Sequence, residues 1–275
     1  MKVALACCGR LENRYAVEFV EYYKQLGFDH IYIADNNHDN EEHFEDVLQS
    51  YVDDNFVTIY NYRFIDEWIH YAYYLSIYCE ISNNYDWVAF YDFDEYLTLV
   101  EDNNIKDYLS RDCFKNVNQI LINWKTYTDN NLVYDDGRPC LERFTTPMEL
   151  NKKAEPNDWC ITNMCVKTII RTNIKDLEYA TNHCFTNELL KTTTCNNCGE
   201  FITNLTYFQP INYTLAYIKH FPTKTIEEFI KYKQIRGTGI PHDEDIEWTS
   251  LDRFFKYNDI TEDKLKYLKE HNIYY

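Results

Sequence analysis

Apolar and polar positions along this chain fall into blocks whose period switches repeatedly over the first 125 residues. Lys2 to Cys8 is an apolar run that closes on Gly9, the pattern of a buried strand. From Tyr15 to Leu26 the residues Val17, Phe19, Val20, Tyr23 and Leu26 recur at helical spacing, and Gly27 is a natural stop. His30 to Ala34 predicts a second strand, ending at Asp35-Asn36-Asn37. The order then repeats: a helix over Glu41 to Tyr51, a strand over Val57 to Tyr60, and an amphipathic helix over Trp68 to Ile81. A strand over Trp87 to Tyr91, a short helix over Ile105 to Leu109 and a strand over Gln119 to Trp124 follow. Strands alternating with helices predict an α/β fold whose ligands bind at the carboxyl ends of parallel strands. Asp35 sits at such an end.

Beyond residue 125 the pattern is less regular. Turn chemistry concentrates between Asn130 and Asp158, with Asp136-Gly137, Pro139, Pro147 and Pro156. Val166 to Ile170 reads as a strand, and the polar stretch from Thr181 to Thr206 predicts long loops. Ile226 to Ile235 is helical, with Thr225 as N-cap and Glu228 three residues on. Thr261 to His271 predicts a last surface helix. With no Gly-, Pro- or Ser-rich linker and no internal repeat, one domain with two functional halves is the simplest organisation.

Composition narrows the classes. No run of about eighteen uncharged apolar residues occurs, so no spanning helix is expected. Met1 to Gly9 carries neither a basic leader nor a small-residue cleavage site, which argues against a secretory signal and for a cytoplasmic protein. The 45 acidic residues outnumber the 27 basic ones, for a net charge of −18. Such a surface repels phosphate backbones, which disfavours nucleic acid, and no polybasic stretch offers a membrane anchor. A small anionic ligand held through a metal ion stays compatible. Six glycines argue against a Gly-rich phosphate loop. The 26 tyrosines and 16 phenylalanines suit half-buried strands and are read mainly as compositional drift. Ten scattered cysteines without a leader read as reduced, largely buried thiols. Cys195 and Cys198 stand at metal-ligand spacing, but a lone pair without a second is read as structural rather than as zinc ligands.

The densest chemistry is Asp92-Phe93-Asp94-Glu95, directly after an apolar strand. On an extended chain Asp92 and Asp94 point one way and Phe93 the other. Two like charges so close ask for a counter-ion. Hard divalent ions such as manganese or magnesium take oxygen ligands and often bridge to a diphosphate. His220 follows the apolar stretch Leu215 to Ile218; by itself it reads as either a metal ligand or a core histidine.

Three segments, in order, carry a resemblance: Glu18 to Asn36 with its Leu-Gly and Asp-Asn, Val88 to Leu97 with Asp-x-Asp-Glu, and His220 to Gly237 with Glu-Glu-Phe and Arg-Gly. Smaller echoes are Trp124, Glu142-Arg143-Phe144, Lys167-Thr168-Ile169 and His183. The chain resembles the glycosyltransferase family 2-like and family 92 group. That resemblance implies a GT-A fold, a Rossmann-like mixed sheet flanked by helices, as a single domain over 1–275. About 1–125 would hold a nucleotide sugar, 126–240 would take the acceptor and close the metal site, and 241–275 would be a C-terminal helical segment. Asp35 would meet the base or ribose, Asp92 and Asp94 the metal ion and through it the diphosphate. His220 would complete the metal site and Lys224 would steady phosphate charge.

The activity so implied is metal-dependent, inverting transfer of a hexose from a UDP-linked donor to a hydroxyl of a glycan or lipid-linked glycan. Inversion needs a base within reach of the acceptor hydroxyl. Glu188 and His183 fall in the window where the group tends to place it, and Glu142 is a further candidate; each reads more readily as a structural or surface residue. Two other classes compete. A nucleotidyltransferase needs a basic Gly-rich N-terminal loop, of which Cys7-Cys8-Gly9-Arg10 is a poor version, and a non-catalytic glycan-binding module needs only exposed aromatics. The chain departs from the group at Phe19, where Trp is usual, at Tyr127-Thr128, where an aromatic-Gly is usual, and at Phe221, where Tyr is usual. The last two are expected to alter the acceptor pocket.

Overall fold

The computed structural model describes residues 1–65, 67–148, 163–239 and 247–275. Pro156 of the turn-rich stretch and the expected segment boundary at 240/241 lie outside them. The chain divides into two compact units, one of residues 1–124 and 163–219, the other of residues 125–162 and 220–275. Residues 163–219 thus return to the first unit, which consecutive segments along the sequence do not convey.

The first unit is built on the strands the apolar runs predict. β1 (Val3–Gly9) pairs in parallel with β2 (His30–Asp35) and β4 (Trp87–Phe90), and β2 with β3 (Val57–Asn61). β5 (Glu95–Leu99) follows, then β6 (Gln119–Thr126), β7 (Val166–Arg171), β8 (Glu178–Thr181), β9 (Cys184–Thr186), β10 (Thr194–Asn196) and β11 (Ala216–His220). The main sheet runs β3-β2-β1-β4-β7-β6-β11-β5, with β10 added on β6. β7 is antiparallel to both β4 and β6, which makes the sheet mixed, as the expected fold class requires. No helix among the described residues is long and apolar enough to cross a membrane.

Helices α1 (Asn13–Gln25), α2 (Glu45–Asp53), α3 (Ile69–Ile81) and α4 (Ile105–Leu109) connect these strands. α1 buries Tyr15, Ala16, Phe19, Val20 and Tyr23, while Val17 faces outward. α2 begins four residues later than the periodicity predicts. Glu41 is used instead to hold Arg10, at 2.6 and 2.8 Å, and to accept from the His38 amide. α3 lays Tyr73, Tyr74, Ile77 and Tyr78 over Ala4, Ala6, Ala34, Val88 and Phe90. Alanines on the strands let a tyrosine-rich helix come close, and the Tyr74 and Tyr78 hydroxyls find partners beyond the apolar contact, while that of Tyr73 is buried without one among the described residues. Tyr78, for example, donates to the Arg171 carbonyl at 2.9 Å.

The polar stretch 181–206 is more ordered than its composition predicts. β9, a helical turn over Leu190–Thr193 and β10 occupy it. The cause is a buried amide rather than an apolar period. Gln119 donates to the Phe185 carbonyl and Thr194 Oγ1, and accepts from the Phe185 amide and Thr168 Oγ1. Every capacity of that side chain is used, so burying it costs little.

In the second unit, Thr225 and Glu228 form the expected capping box at the start of the helix Ile226–Glu228. The helix continues through a π-helical segment, Phe229–Lys233, to Gln234–Arg236. Glu228 also binds the fully buried guanidinium of Arg143 through two contacts of 2.8 Å. Ile226 and Phe229 pack on Leu251, Phe254, Tyr267 and Leu268, residues of two further helices, Leu251–Tyr257 and Glu262–Glu270. The first of those helices is not evident in the sequence pattern.

One close approach ties the sheet to the acidic segment. A Cβ at Gly9 would lie 2.7 Å from two ring carbons of Phe93 and 3.0 Å from Cζ of Phe44. Gly9→Ala is therefore expected to lower the melting temperature, by an amount equivalent to about 1–3 kcal/mol of overpacking. Thermal denaturation checks this; an unchanged midpoint would show that the Phe93 ring yields freely.

Candidate active site

The chain runs from β1 to β2 and β3 on one side, then returns to β4 on the other side of β1. The carboxyl ends of β1 and β4 are thus a topological switch point, where open α/β sheets bind ligands. Ala6 pairs with Phe90, so Cys8 and Asp92 lie two residues further along each chain.

The segment Asp92–Glu95 is a turn, not the extended chain the sequence predicts. The Glu95 amide donates to the Asp92 carbonyl at 3.0 Å, and the Asp92 amide donates to Glu95 Oε2 at 3.0 Å. The turn lets Phe93 reach the rings of Phe19 and Phe44, at centroid distances of 4.7 and 5.2 Å. Asp92 and Asp94 consequently have different neighbours. Asp92 faces Lys167 at 2.6 Å, His70 at 3.5 Å and the Tyr74 hydroxyl at 3.3 Å. The buried carboxylate of Asp94 comes within 4.8 Å of that of Glu95.

Lys167 is the positive centre of this group. Its side chain has 0% exposure and stands 3.4 Å from Glu95 as well. Burial works against its charge, but Asp92 and Glu95 outweigh that and raise its pKa. Burial also works against ionised Asp92, yet Lys167 and His70 hold it well below the usual carboxylate range. Glu95 is pushed well above that range by burial, with Asp92 and Asp94 adding to the shift against the pull of Lys167. His70 would be lowered by burial, but Cys8 and Asp92 raise it to about 10. Glu95 is also a mechanical hub. Its Oε1 accepts from the Trp124 indole at 2.9 Å while Oε2 holds the Asp92 amide.

Asp35 is buried at the end of β2 and its carboxylate is committed. Oδ2 accepts from Arg63 at 2.6 and 3.0 Å, and Oδ1 from the Asn37 amide and side chain at 3.0 and 2.7 Å. Arg63 also donates to the carbonyls of His38 and Glu42, so the pair fixes the loop after β2. His183 Nδ1 lies 2.7 Å from the Val166 carbonyl, and its ring stacks on Tyr207 and meets the edge of Trp124. A carbonyl only accepts, so Nδ1 carries the proton and Nε2 the lone pair. Burial, with Lys167 nearby, lowers the His183 pKa to about 3. Glu188 is 90% exposed and paired with Lys191.

The remaining sequence-predicted residues belong to the second unit. Glu142 is exposed on the one-turn helix Cys140–Arg143. His220 is buried, and its carbonyl accepts from the Tyr127 amide at 2.9 Å. Lys224 is buried at φ 54° just before the Thr225 cap. The two departures at Tyr127 and Phe221 pack together, with ring centroids 5.4 Å apart, and Phe144 closes the cluster. They form one buried aromatic unit.

Cys195 is buried, and the Cys198 thiol donates to Asn196 Oδ1 and accepts from Asn212. Neither belongs to a cluster of three or more metal-ligating side chains among the described residues. Sequence reasoning missed Cys8, His70 and Arg63. Cys8 reads as one more apolar strand residue, and His70 and Arg63 carry no spacing signal. Lys167 was visible only as a faint family echo.

The sequence matches the Glycosyltransferase family 92 profile over residues 10–249. By class the protein is a glycosyltransferase. It belongs to glycosyltransferase family 92. No curated protein matches the chain. Among solved structures, TarS of S. aureus is similar at 11% identity and a TM-score of 0.41, over 94% of this chain and 44% of that one. TarS 1-349 is similar at 13% identity and a TM-score of 0.40, over 94% and 72%. The complex of TarS 1-349 with UDP-GlcNAc is similar at 11% identity and a TM-score of 0.41, over 96% and 78%. The chain therefore spans less than half the length of the longest of these.

The His183 environment has a pH signature. Its folded pKa is depressed from 6.5 to about 3, so the unfolded chain binds the extra proton first as pH falls. The stability it contributes is complete above about pH 6.5 and is lost as pH drops from there towards 3. His183→Gln is expected to flatten the melting-temperature profile between pH 6.5 and 4; an unchanged acid limb would show a normally titrating histidine.

Proposed function

We propose that the protein transfers a hexose from a UDP-linked sugar to a hydroxyl of a glycan or lipid-linked glycan, with inversion and with a divalent ion at the donor diphosphate. The observation that carries this reading is the group of buried carboxylates at the switch point of a family 92 chain. A cytoplasmic enzyme building surface polysaccharide or protein-linked glycans is the setting proposed for it.

The donor set fits a hard ion. Asp92 and Asp94 are hard oxygen donors of the kind a divalent cation takes, and the buried Lys167 beside them holds Asp92 ionised. Asp92, Asp94 and His220 are the ligands that the family resemblance implies, while both Glu95 oxygens are engaged by Trp124 and the Asp92 amide. Bound manganese or magnesium would offset the charge that develops on the departing nucleotide diphosphate. Lys167 keeps Asp92 ionised and in place, and Glu95 orients Trp124 beside it. Asp35 acts on the base or ribose through the loop it fixes with Arg63 and Asn37, and Lys224 steadies phosphate charge.

A general base works best with a pKa near the operating pH. His183, at about 3, is therefore assigned a positioning role against Trp124. The nucleotidyltransferase alternative loses its one basic loop residue, because Arg10 is already paired with Glu41.

A thermal-shift titration with UDP, GDP and TDP, with and without manganese, tests the reading. UDP at a hundred times its dissociation constant is expected to stabilise the fold by about 2.7 kcal/mol, and only with the metal. Asp94→Asn is expected to keep the fold and lose the manganese-dependent part. No shift with any nucleotide up to millimolar concentration overturns the nucleotide-sugar reading.

A further inference from the structure

The donor chemistry above makes no use of a thiol, yet one stands at the switch point. Cys8 Sγ, a ring nitrogen of His70 and a carboxylate oxygen of Asp92 all lie within 4.8 Å of one another. The three come from separate elements: the end of β1, the first turn of α3 and the residues just after β4. A thiolate, an imidazole and a carboxylate converging on one point are the ligands of a borderline-soft ion, zinc above all, and not of magnesium.

We propose that Cys8, His70 and Asp92 form a soft-cation site for zinc, and that an ion there inhibits the enzyme by drawing Asp92 away from the donor site. The site itself does not depend on which sugar is transferred. The inhibition rests on the donor-site reading and is measured separately.

The geometry selects the ligand atoms. Asp92 Oδ2 is held by Lys167 at 2.6 Å, whereas Oδ1 faces His70 at 3.5 Å and is the oxygen available to an ion. The Tyr74 hydroxyl, 3.3 Å from the same oxygen, becomes its outer hydrogen-bond partner. A tetrahedral zinc with bonds of about 2.0–2.3 Å holds its ligand atoms roughly 3.5 Å apart, so a contraction of about an ångström completes three positions. Water takes the fourth. The thiolate and carboxylate together match the charge of the ion, and because ligands must be deprotonated, binding is coupled to proton release.

Cobalt(II) reports this site directly. The metal-free protein is titrated with cobalt, and the thiolate-to-cobalt charge-transfer band is followed together with the visible bands of tetrahedral cobalt. One equivalent is expected to bind, and zinc is expected to displace it. Cys8→Ser should abolish the charge-transfer band and raise the zinc dissociation constant at least tenfold, while Cys195→Ser and Cys198→Ser retain the band. His70→Gln, which leaves the thiol in place, should weaken cobalt binding by a similar factor; it serves as the second test should Cys8→Ser not fold. A band that survives in Cys8→Ser, or no band in the unaltered protein, overturns the site. The inhibition is read as loss of the manganese-dependent UDP shift on adding equimolar zinc. A shift that persists with zinc bound refutes the inhibition alone, and absence of any UDP shift counts against the donor reading while the cobalt spectrum still decides the site.

Discussion

The arrangement at the switch point depends on one buried ammonium group. Lys167 has no exposed side-chain surface and stands between the carboxylates of Asp92 and Glu95. Removing such a charge from water is costly, and only close opposite charges with further hydrogen bonds offset it. Those conditions are met here, because His70 and Tyr74 meet Asp92 while the Trp124 indole and the Asp92 amide meet Glu95. The antiparallel insertion of β7 makes the contact available. Thr168 pairs with Phe90, so the start of β7 lies against the carboxyl end of β4, and Lys167 arrives beside the acidic turn. In a parallel neighbour the same end would lie at the opposite edge of the sheet.

The same device recurs one strand away. Arg63, after β3, is spent on Asp35 at the end of β2 and on the carbonyls of the following loop. In a chain with a net charge of −18, two scarce cations are placed where strand ends would otherwise gather uncompensated carboxylates. The aromatic excess also finds its place in packing. Tyrosines of α3 cover alanines of the sheet, and Phe93 wedges between Phe19 and Phe44 above a glycine that leaves it room. The turn carrying Asp92 and Asp94 is thus held by an aromatic wedge on one side and an ion cluster on the other.

The regular opening of the fold was legible because strands buried on both faces leave unbroken apolar runs and α1 leaves a helical period, whereas α3 is apolar nearly all round rather than amphipathic. The capping box at Thr225 and Glu228 was legible for a similar reason, since all its parts are local. Two expectations failed where long-range polar bonds replaced periodicity. Gln119 organises a stretch that reads as loop, and Glu41 leaves its expected helix to bind Arg10. The extended reading of Asp92–Glu95 failed because the requirement to bury Phe93 against distant rings is invisible in four residues of sequence.

The sequence by itself determined the family, the βαβ opening and the acidic motif at a strand end, because each is written in residues close together in the chain or in segments of fixed order. Only the folded chain sets which cations and hydrogen-bond donors each of these carboxylates meets. Lys167 lies 75 residues from Asp92, Trp124 lies 29 from Glu95, and Cys8 and His70 reach the same point from β1 and α3. Charge, protonation and ligand identity at such a site depend on distances of a few ångströms between residues that no sequence spacing relates. Those distances are fixed only when β7 takes its antiparallel place beside β4.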